Sequence, residues 1–209
     1  MTLPGAVTLG VLISGRGSNL QAIIDAINDG RLAARIAIVI SNRAGAAGLA
    51  RAERAGIETA VLPHGRYESR ADYDHELASV LKARGVTLVC LAGFMRLLGS
   101  SFLNAFPNAV LNIHPSLLPA FPGLDAQQQA FDHGVKVAGA TVHLVTPELD
   151  SGPIVAQQAI AVSDGDTAET LAARILEVEH DLYPRAIAGF CRGFVVTGRR
   201  FVPTATLGT

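Results

Sequence analysis

The chain has 209 residues, of which 49% are hydrophobic and only 17% are charged. This composition supplies enough apolar side chains for a sizeable core, which excludes an intrinsically disordered chain. The 17 basic and 18 acidic residues leave a formal net charge of −1, so no global positive field attracts nucleic acid or an anionic membrane surface. We expect a single domain over residues 1–209 and no polynucleotide partner.

The two cysteines, Cys90 and Cys191, are far apart in the sequence and lie in apolar surroundings, which is typical of buried thiols in a reducing compartment. The N-terminal residues lack the basic and long apolar regions of a secretory signal, so we predict a cytoplasmic protein. Residues 97–124 contain no charged side chain, but prolines and asparagines interrupt them. We predict a buried, irregular segment there and no membrane association.

The N-terminal half alternates predicted strands with predicted helices. A strand over residues 7–13 leads through a glycine-rich turn into a helix that begins at Ser18 or Asn19 and ends near Gly30, with Ser18 and Gln21 as a capping box. The later elements of this half are strands over 36–40, 59–62, 87–91 and 109–113, and helices over 46–54 and after Ser69, the latter with Asp72 as its capping partner. Strands that are apolar on both faces predict parallel pairing beneath helices.

The pattern changes after Gly139. Strands over 140–145 and 154–162 follow one another without an intervening helix, which favours antiparallel or mixed pairing. A last helix is predicted over 167–182, capped by Asp166 with Glu169. We therefore expect an α/β fold, a Rossmann-like mostly parallel sheet with helices on both faces and a C-terminal antiparallel extension.

The loop Gly15–Asn19 opens a helix directly after the first strand. Backbone N–H groups and the helix dipole at such a position bind anions. Position 20 is leucine, the second strand ends without an acidic residue, and no Gly-Lys-Ser/Thr follows, so neither common nucleotide-binding motif is present. A single phosphate fits better than a dinucleotide, although the loop taken alone is equally typical of a tight turn with a helix cap.

Further polar residues stand near strand ends. Asn112 and His114 are two apart at the end of an apolar strand, so they point the same way and are donors suited to a developing oxyanion. Asp150, in the loop between the two late strands, would stabilise a neighbouring imidazolium and could relay a proton. Taken alone, each is more often a buried or turn residue, and we expect His143 to be packed in the core. The six histidines include no metal-binding pair, so no metal is predicted.

Four segments together resemble the phosphoribosylglycinamide formyltransferases, a branch of the folate-dependent formyltransferase family. They are residues 13–21 (ISGRGSNLQ), 91–96 (LAGFMR), 112–119 (NIHPSLLP) and 148–153 (ELDSGP). The resemblance implies transfer of a formyl group from 10-formyltetrahydrofolate, a cosubstrate, to the amine of 5-phosphoribosylglycinamide in de novo purine biosynthesis. It also implies small-molecule substrates, no metal cofactor, and a monomer or homodimer.

The resemblance assigns roles to individual residues of this chain. Its implied catalytic trio is Asn112, His114 and Asp150. The residues implied to bind the ribonucleotide are Gly17, Ser18 and Asn19, at its phosphate, and Glu179. Those implied to bind the formyl donor are Arg70, Met95, Arg96, Leu97, Leu98 and Asn112. Many members have a histidine where this chain has Asp125, so no histidine role is expected at that position.

Three alternative functions stay open. A methionyl-tRNA formyltransferase would need an added nucleic-acid-binding domain, and we expect none here. A formyltetrahydrofolate hydrolase would need an extra N-terminal regulatory domain, whereas the first predicted strand begins at residue 7. A non-catalytic phosphosugar-binding module would have no need of Asn112, His114 and Asp150.

Overall fold

The apolar strands of the N-terminal half pair in parallel, as their sequence predicts. The computed structural model describes residues 7–204. Its parallel strands are β1 (Val7–Ile13), β2 (Ala34–Ser41), β3 (Thr59–Val61), β4 (Leu88–Leu91) and β5 (Val110–His114). β1 lies at the centre of this group, between β2 and β4. Every residue of β1 is buried, as expected for a strand with packing elements on both faces.

Helices flank the sheet. They are α1 (Ser18–Asn28), α2 (Ala47–Arg54), α3 (Arg70–Lys82), α4 (Ser100–Ala105), α5 (Ala126–Asp132) and α6 (Ala168–Cys191), with a short 3-10 helix at His64–Arg66. α1 packs on both α2 and α6. Its buried side chains include Leu20, Ile23 and Ile24, the spacing that gives a helix one apolar face.

The C-terminal extension is antiparallel where it joins the parallel core, which confirms the expected fold class. β6 (Val137–Leu144) runs antiparallel to β5, and β7 (Ile154–Ala161) runs antiparallel to β6. A hairpin of β8 (Phe194–Thr197) and β9 (Arg200–Pro203) then adds to the edge at β7. Within residues 7–204 the strands have the order β3-β2-β1-β4-β5-β6-β7-β9-β8. The hairpin was not predicted, because its four-residue strands give little periodic signal.

The predicted caps of two helices are wrong. Gly17, in the left-handed region with φ 69°, is the N-cap of α1, and no side chain caps the helix. The Gln21 amide instead donates to Asp25 one turn along the helix. In α6 the N-cap is Thr167, which forms a reciprocal capping box with Thr170, so Asp166 and Glu169 do not fill those positions.

Two segment boundaries also differ from prediction. α6 continues past residue 182 to Cys191, through Pro184, because Ile187 and Phe190 extend its buried face. Outside the predicted strand over 109–113, the segment 97–124 is not irregular throughout, since it also contains α4, which was not predicted. Within residues 7–204, no helix combines the length and hydropathy needed to cross a membrane. Cys90 is buried as predicted, whereas Cys191 is only partly buried.

Candidate active site

The end of β5 places two polar side chains in one cavity. Asn112 and His114 both line a cavity of about 600 Å³, together with His143 and Asp150. In the antiparallel register of β5 and β6, Asn112 lies opposite His143. The cavity has the size of a typical small-molecule site, and three separate segments of the chain contribute its polar wall.

The His114 ring is held from both of its nitrogens. Nε2 lies 2.9 Å from the carbonyl oxygen of Phe121, and since a carbonyl only accepts, Nε2 carries a proton. Nδ1 lies 3.5 Å from Oδ2 of Asp150. The Asp150 carboxylate can accept a hydrogen bond from a proton on Nδ1, so each ring nitrogen of His114 faces an acceptor.

Asp150 is a carboxylate that stays ionised. Burial raises its pKa, but hydrogen bonding with the His143 ring, the backbone N–H of Gly123 and the charges of the two histidines outweigh burial and hold the pKa below its ordinary value. The Gly123 N–H donates to Oδ2 over 2.8 Å. Asp150 has a left-handed backbone, with φ 46°, a conformation that non-glycine residues adopt at some cost.

A close approach of backbones brings Asp150 to the histidines. A Cβ atom on Gly152 would lie 1.8 Å from the carbonyl oxygen of Leu144, so only glycine fits here without moving the chain. The loop between β6 and β7 therefore folds tightly onto the end of β6. This contact accounts for the glycine two residues after Asp150 in the segment 148–153.

The rest of segment 112–119 holds the loop that follows His114. The Ser116 hydroxyl donates to the carbonyl of Ala120, and the Thr141 hydroxyl donates to the carbonyl of Ser116, each over 2.6 Å. The Leu118 N–H donates back to Thr141 Oγ1. These bonds fix the turn that presents the Phe121 carbonyl to His114, so the motif supplies scaffold as well as chemistry.

His143 is buried, at 2% exposure, but it is also part of the site, which the expectation of a core residue missed. Its Nδ1 donates to the Leu144 carbonyl over 2.9 Å. Nε2 lies 3.1 Å from Asn112 Nδ2 and 3.6 Å from Asp150 Oδ1. The neutral ring accepts from the amide at Nε2, whereas the imidazolium donates to the carboxylate. The signal lay in the pairing of its strand with β5, which the sequence does not reveal.

The loop between β4 and α4 forms another wall of the cavity. Met95, Arg96, Leu97 and Leu98 all line it. Met95 and Leu97 are 57% and 55% exposed, whereas Leu98 is buried. Asp125 also lies on the cavity wall, but Arg70 does not: its Nε lies 3.9 Å from Asp74 on the same helix.

The glycine loop before α1, residues 15–19, is braced from the side by α2. The Gly48 N–H donates to the Gly15 carbonyl, and Arg51 Nε donates to the Arg16 carbonyl, each over 3.0 Å. A Cβ on Gly17 would lie 2.6 Å from Gly48 Cα. The first-turn N–H groups of a helix have no intrahelical acceptor, so the braced loop presents donors that suit an anion.

Asn19 and Glu179 meet beside this loop although they are far apart in sequence. Asn19 Nδ2 donates to Glu179 Oε2 over 2.6 Å, and both residues are buried. Burial raises the pKa of Glu179 to about 7, against the opposing effects of Asn19 and the charge of Arg16. Ser18 faces a second cavity of about 360 Å³, which Arg51 and His180 also line.

Ser14 joins the glycine loop to the loop after β4. Its N–H donates to the Gly93 carbonyl, its Oγ donates to Asn42, and the same Oγ accepts from the Met95 N–H. Hydrogen bonds of Ser14 therefore connect the start of the glycine loop to the start of the loop after β4. Within residues 7–204, no group of three His, Cys, Asp or Glu side chains is placed to hold a metal ion.

Known proteins resemble this chain along nearly its whole length. The formyl transferase family model matches residues 8–187. The phosphoribosylglycinamide formyltransferase of Escherichia coli (strain K12) is 45% identical over 183 residues, which cover 88% of this chain and 86% of that protein. The solved structure of glycinamide ribonucleotide transformylase 1 from Symbiobacterium toebii is 55% identical with a TM-score of 0.94, and the match covers 96% of this chain and 95% of that one.

Longer relatives match as well. The trifunctional purine biosynthetic protein adenosine-3 of Homo sapiens is 47% identical over 188 residues, which cover 90% of this chain but 19% of that protein. The chain thus spans about a fifth of the length of this relative. Because the family model covers most of its residues, and because the E. coli relative matches along most of both sequences, the chain belongs to the formyl transferase family.

Proposed function

We propose that this chain, as a single domain, transfers the formyl group of 10-formyltetrahydrofolate to the amine of 5-phosphoribosylglycinamide. The products are formylglycinamide ribonucleotide and tetrahydrofolate, and the reaction belongs to purine biosynthesis. The observation that carries the proposal is the meeting of Asn112, His114 and Asp150 on one wall of a substrate-sized cavity. The names of relatives with similar length support this choice of substrates.

The formyl donor occupies the 600 Å³ cavity. The apolar side chains of Met95, Leu97 and Leu98 suit the rings of a folate, and exposed apolar surface at a cavity mouth is typical of a ligand site. Arg96 offers a cation for the acidic part of the donor. Arg70 stands outside the cavity wall, so its contact with the donor requires a tail that reaches beyond the cavity.

The ribonucleotide binds on the other side of the Ser14 connection. Its phosphate accepts hydrogen bonds from the backbone at Gly17, Ser18 and Asn19, where the helix dipole favours negative charge. Glu179 accepts from the ribonucleotide beside Asn19. Glycine at position 17 lets a phosphate approach the backbone closely, which a larger residue would prevent.

The reaction is acyl transfer to an amine. The amine nitrogen of the ribonucleotide attacks the formyl carbon, and the carbonyl electron pair moves to oxygen. Asn112 and protonated His114 donate hydrogen bonds to the resulting oxyanion. Asp150 keeps His114 charged and accepts the proton lost by the attacking amine. The oxyanion electron pair then re-forms the carbonyl, the bond from carbon to the folate nitrogen breaks, and that nitrogen takes up the proton that Asp150 accepted.

We also propose the partners, the oligomeric state and the cellular location of the enzyme. It acts on small molecules without a metal or a nucleic-acid partner, as a monomer or homodimer in the cytoplasm. Sedimentation of the purified chain at several concentrations measures the oligomeric state. A mass outside these two states would contradict this part alone.

Turnover assays with the purified chain test the proposed reaction. We expect tetrahydrofolate to form from 10-formyltetrahydrofolate only when 5-phosphoribosylglycinamide is present. Formate release without the ribonucleotide would instead indicate a hydrolase, and formylation of methionyl-tRNA would indicate that branch of the family. Ribonucleotide binding without turnover would indicate a binding module. Each of these three outcomes overturns the proposal.

A further inference from the structure

The loop Gly93–Gly99, between β4 and α4, is held by two buried side chains outside the donor cavity. Ser14 Oγ accepts from the Met95 N–H over 2.8 Å, and Asp74 Oδ2 accepts from the Gly99 N–H over 2.7 Å. The loop itself has no helix or strand, and two of its side chains at the cavity are more than half exposed. Its conformation therefore depends on these anchors.

Asp74 is a buried acid on α3. It is 1% exposed, and it does not line the cavity. Only its Oδ2 is hydrogen-bonded; in the described part of the chain, Oδ1 is buried without a hydrogen-bond partner. A buried carboxylate with incomplete hydrogen bonding destabilises a fold, so the presence of one here calls for a role besides packing.

Two arginines lie near Asp74. Arg70 Nε is 3.9 Å from Asp74 Oδ2, and the Arg96 guanidinium lies over the ring of Tyr73, the residue before Asp74, 5.4 Å from its centroid. Like Asp74 Oδ1, Arg96 Nε is a buried atom without a hydrogen-bond partner among residues 7–204. The aromatic face of Tyr73 restricts where this guanidinium can point.

We propose that Asp74 is a positioning residue for the formyl donor. It fixes the C-terminal end of the Gly93–Gly99 loop through the Gly99 N–H, and its charge pairs with Arg70 Nε 3.9 Å away. The donor then meets a preformed wall, so Asp74 sets donor affinity without touching the reacting atoms. This inference rests on the proposed function for the identity of the donor.

Three substitutions separate the parts of this anchor. Asp74→Asn keeps an acceptor for the Gly99 N–H and removes the charge, whereas Asp74→Ala removes both. Gly99→Ala leaves Asp74 in place but puts a Cβ 2.6 Å from its Oδ2, which displaces the loop end. Glu76→Gln is the control, because Glu76 is an exposed acid on the same helix.

Steady-state kinetics with each substrate varied in turn test the anchor. We expect the KM for 10-formyltetrahydrofolate to rise about three- to tenfold in Asp74→Asn and Gly99→Ala, and further in Asp74→Ala. The ribonucleotide KM and kcat stay within about twofold of wild type, and Glu76→Gln changes nothing. An equal rise in both KM values, or a lower kcat with an unchanged donor KM, would overturn the inference.

Binding measurements keep this test independent of turnover and of folding losses. Titration calorimetry with 5,8-dideazafolate, an analogue that carries no formyl group to transfer, gives affinity at the donor site directly. If wild type binds the analogue but transfers no formyl group, the proposed function fails while the anchor remains testable. If Asp74→Ala does not fold, Gly99→Ala and Asp74→Asn still test the anchor. Wild-type affinity for the analogue in both of these variants would contradict the role of Asp74.

Discussion

The two sides of the candidate site are built from different parts of the polypeptide. The glycine loop before α1 presents backbone N–H groups, and its shape depends on contacts between Gly15, Gly17 and Gly48. The wall formed by β5, β6 and the loop after β6 presents side chains: Asn112, His114, His143 and Asp150. Backbone donors suit a phosphate that only has to be held, whereas side chains can gain and lose protons during a reaction.

The buried carboxylates on the two sides of the site have pKa values that are shifted in opposite directions. Near the histidines, the pKa of Asp150 lies below its ordinary value in spite of burial. Near the glycine loop, burial dominates and raises the pKa of Glu179 to about 7. Asp150 is thus ionised in the resting site at neutral pH, whereas Glu179 changes its charge near neutral pH. Single substitutions on each side of the site can test this comparison.

The largest expected effect is loss of turnover at the side-chain wall. Asn112→Ala and His114→Ala each remove one donor to the oxyanion, which we expect to lower kcat by about 10²- to 10³-fold. His75→Ala is the control, since His75 is an exposed histidine on α3. Circular dichroism checks that both variants fold. A folded variant that retains more than about a tenth of wild-type kcat would remove that residue from the proposed mechanism.

These two residues also mark what a sequence can reveal. Asn112 and His114 share one strand, so their common direction follows from a period of two. The glycine loop and the start of α1 are likewise consecutive, and both were located correctly. Such local features depend on neighbouring residues, which the sequence lists in order.

The features that prediction missed depend on distant pairing. His143 enters the site because β6 pairs with β5 in a register that sets it opposite Asn112, and a shift of one residue would turn it to the other face. α6 continues past Pro184 because its last turns bury Ile187 and Phe190. Tertiary packing decides both cases, and it overrides local helix-stop signals.

A second expected effect is pH-dependent stability at Glu179. Its folded pKa of about 7 lies above the ordinary value of 4.5, so folding favours the protonated form. That contribution is fully present below pH 4.5 and is lost as the pH rises through about 7. Glu179→Gln stays neutral, so without ligands we expect it to exceed wild type at pH 8 by up to about 3 kcal/mol of unfolding free energy.

Urea unfolding at pH 5 and pH 8 measures this effect. The difference between Glu179→Gln and wild type should be small at pH 5 and large at pH 8. Glu177→Gln is the matched control, because Glu177 is exposed on the same helix and should show no such trend. A difference that is the same at both pH values would mean that Glu179 does not change its charge in this range.

A third expected effect distinguishes a role for the negative charge of Asp150 from a purely structural role of this residue in its turn. Asp150→Asn retains an acceptor for the Gly123 N–H but removes the charge beside His114. Protonated Asp150 is uncharged like asparagine, so the ratio of wild-type to variant kcat should be about tenfold near neutral pH and should fall as the pH drops through the lowered pKa of Asp150. Ionisation of the substrate amine affects both enzymes and cancels in this ratio. A ratio of one near neutral pH would leave Asp150 without a role as an anion.

The smallest expected effect tests the backbone side of the comparison. Gly17 has φ 69°, and a Cβ there would lie 2.6 Å from Gly48 Cα, whereas a Cβ on Gly15 would meet no atom within 4 Å. Gly17→Ala should therefore distort the loop and raise the ribonucleotide KM about fivefold, with the donor KM within about twofold of wild type. Gly15→Ala, two residues away in the same loop, should leave both KM values unchanged. If the two alanine variants had the same ribonucleotide KM, close packing of Gly17 on α2 would not be what shapes the phosphate site. If Gly17→Ala raised both KM values equally, the Ser14 connection would be transmitting the distortion to the donor loop, and the two sides of the site would not be independent.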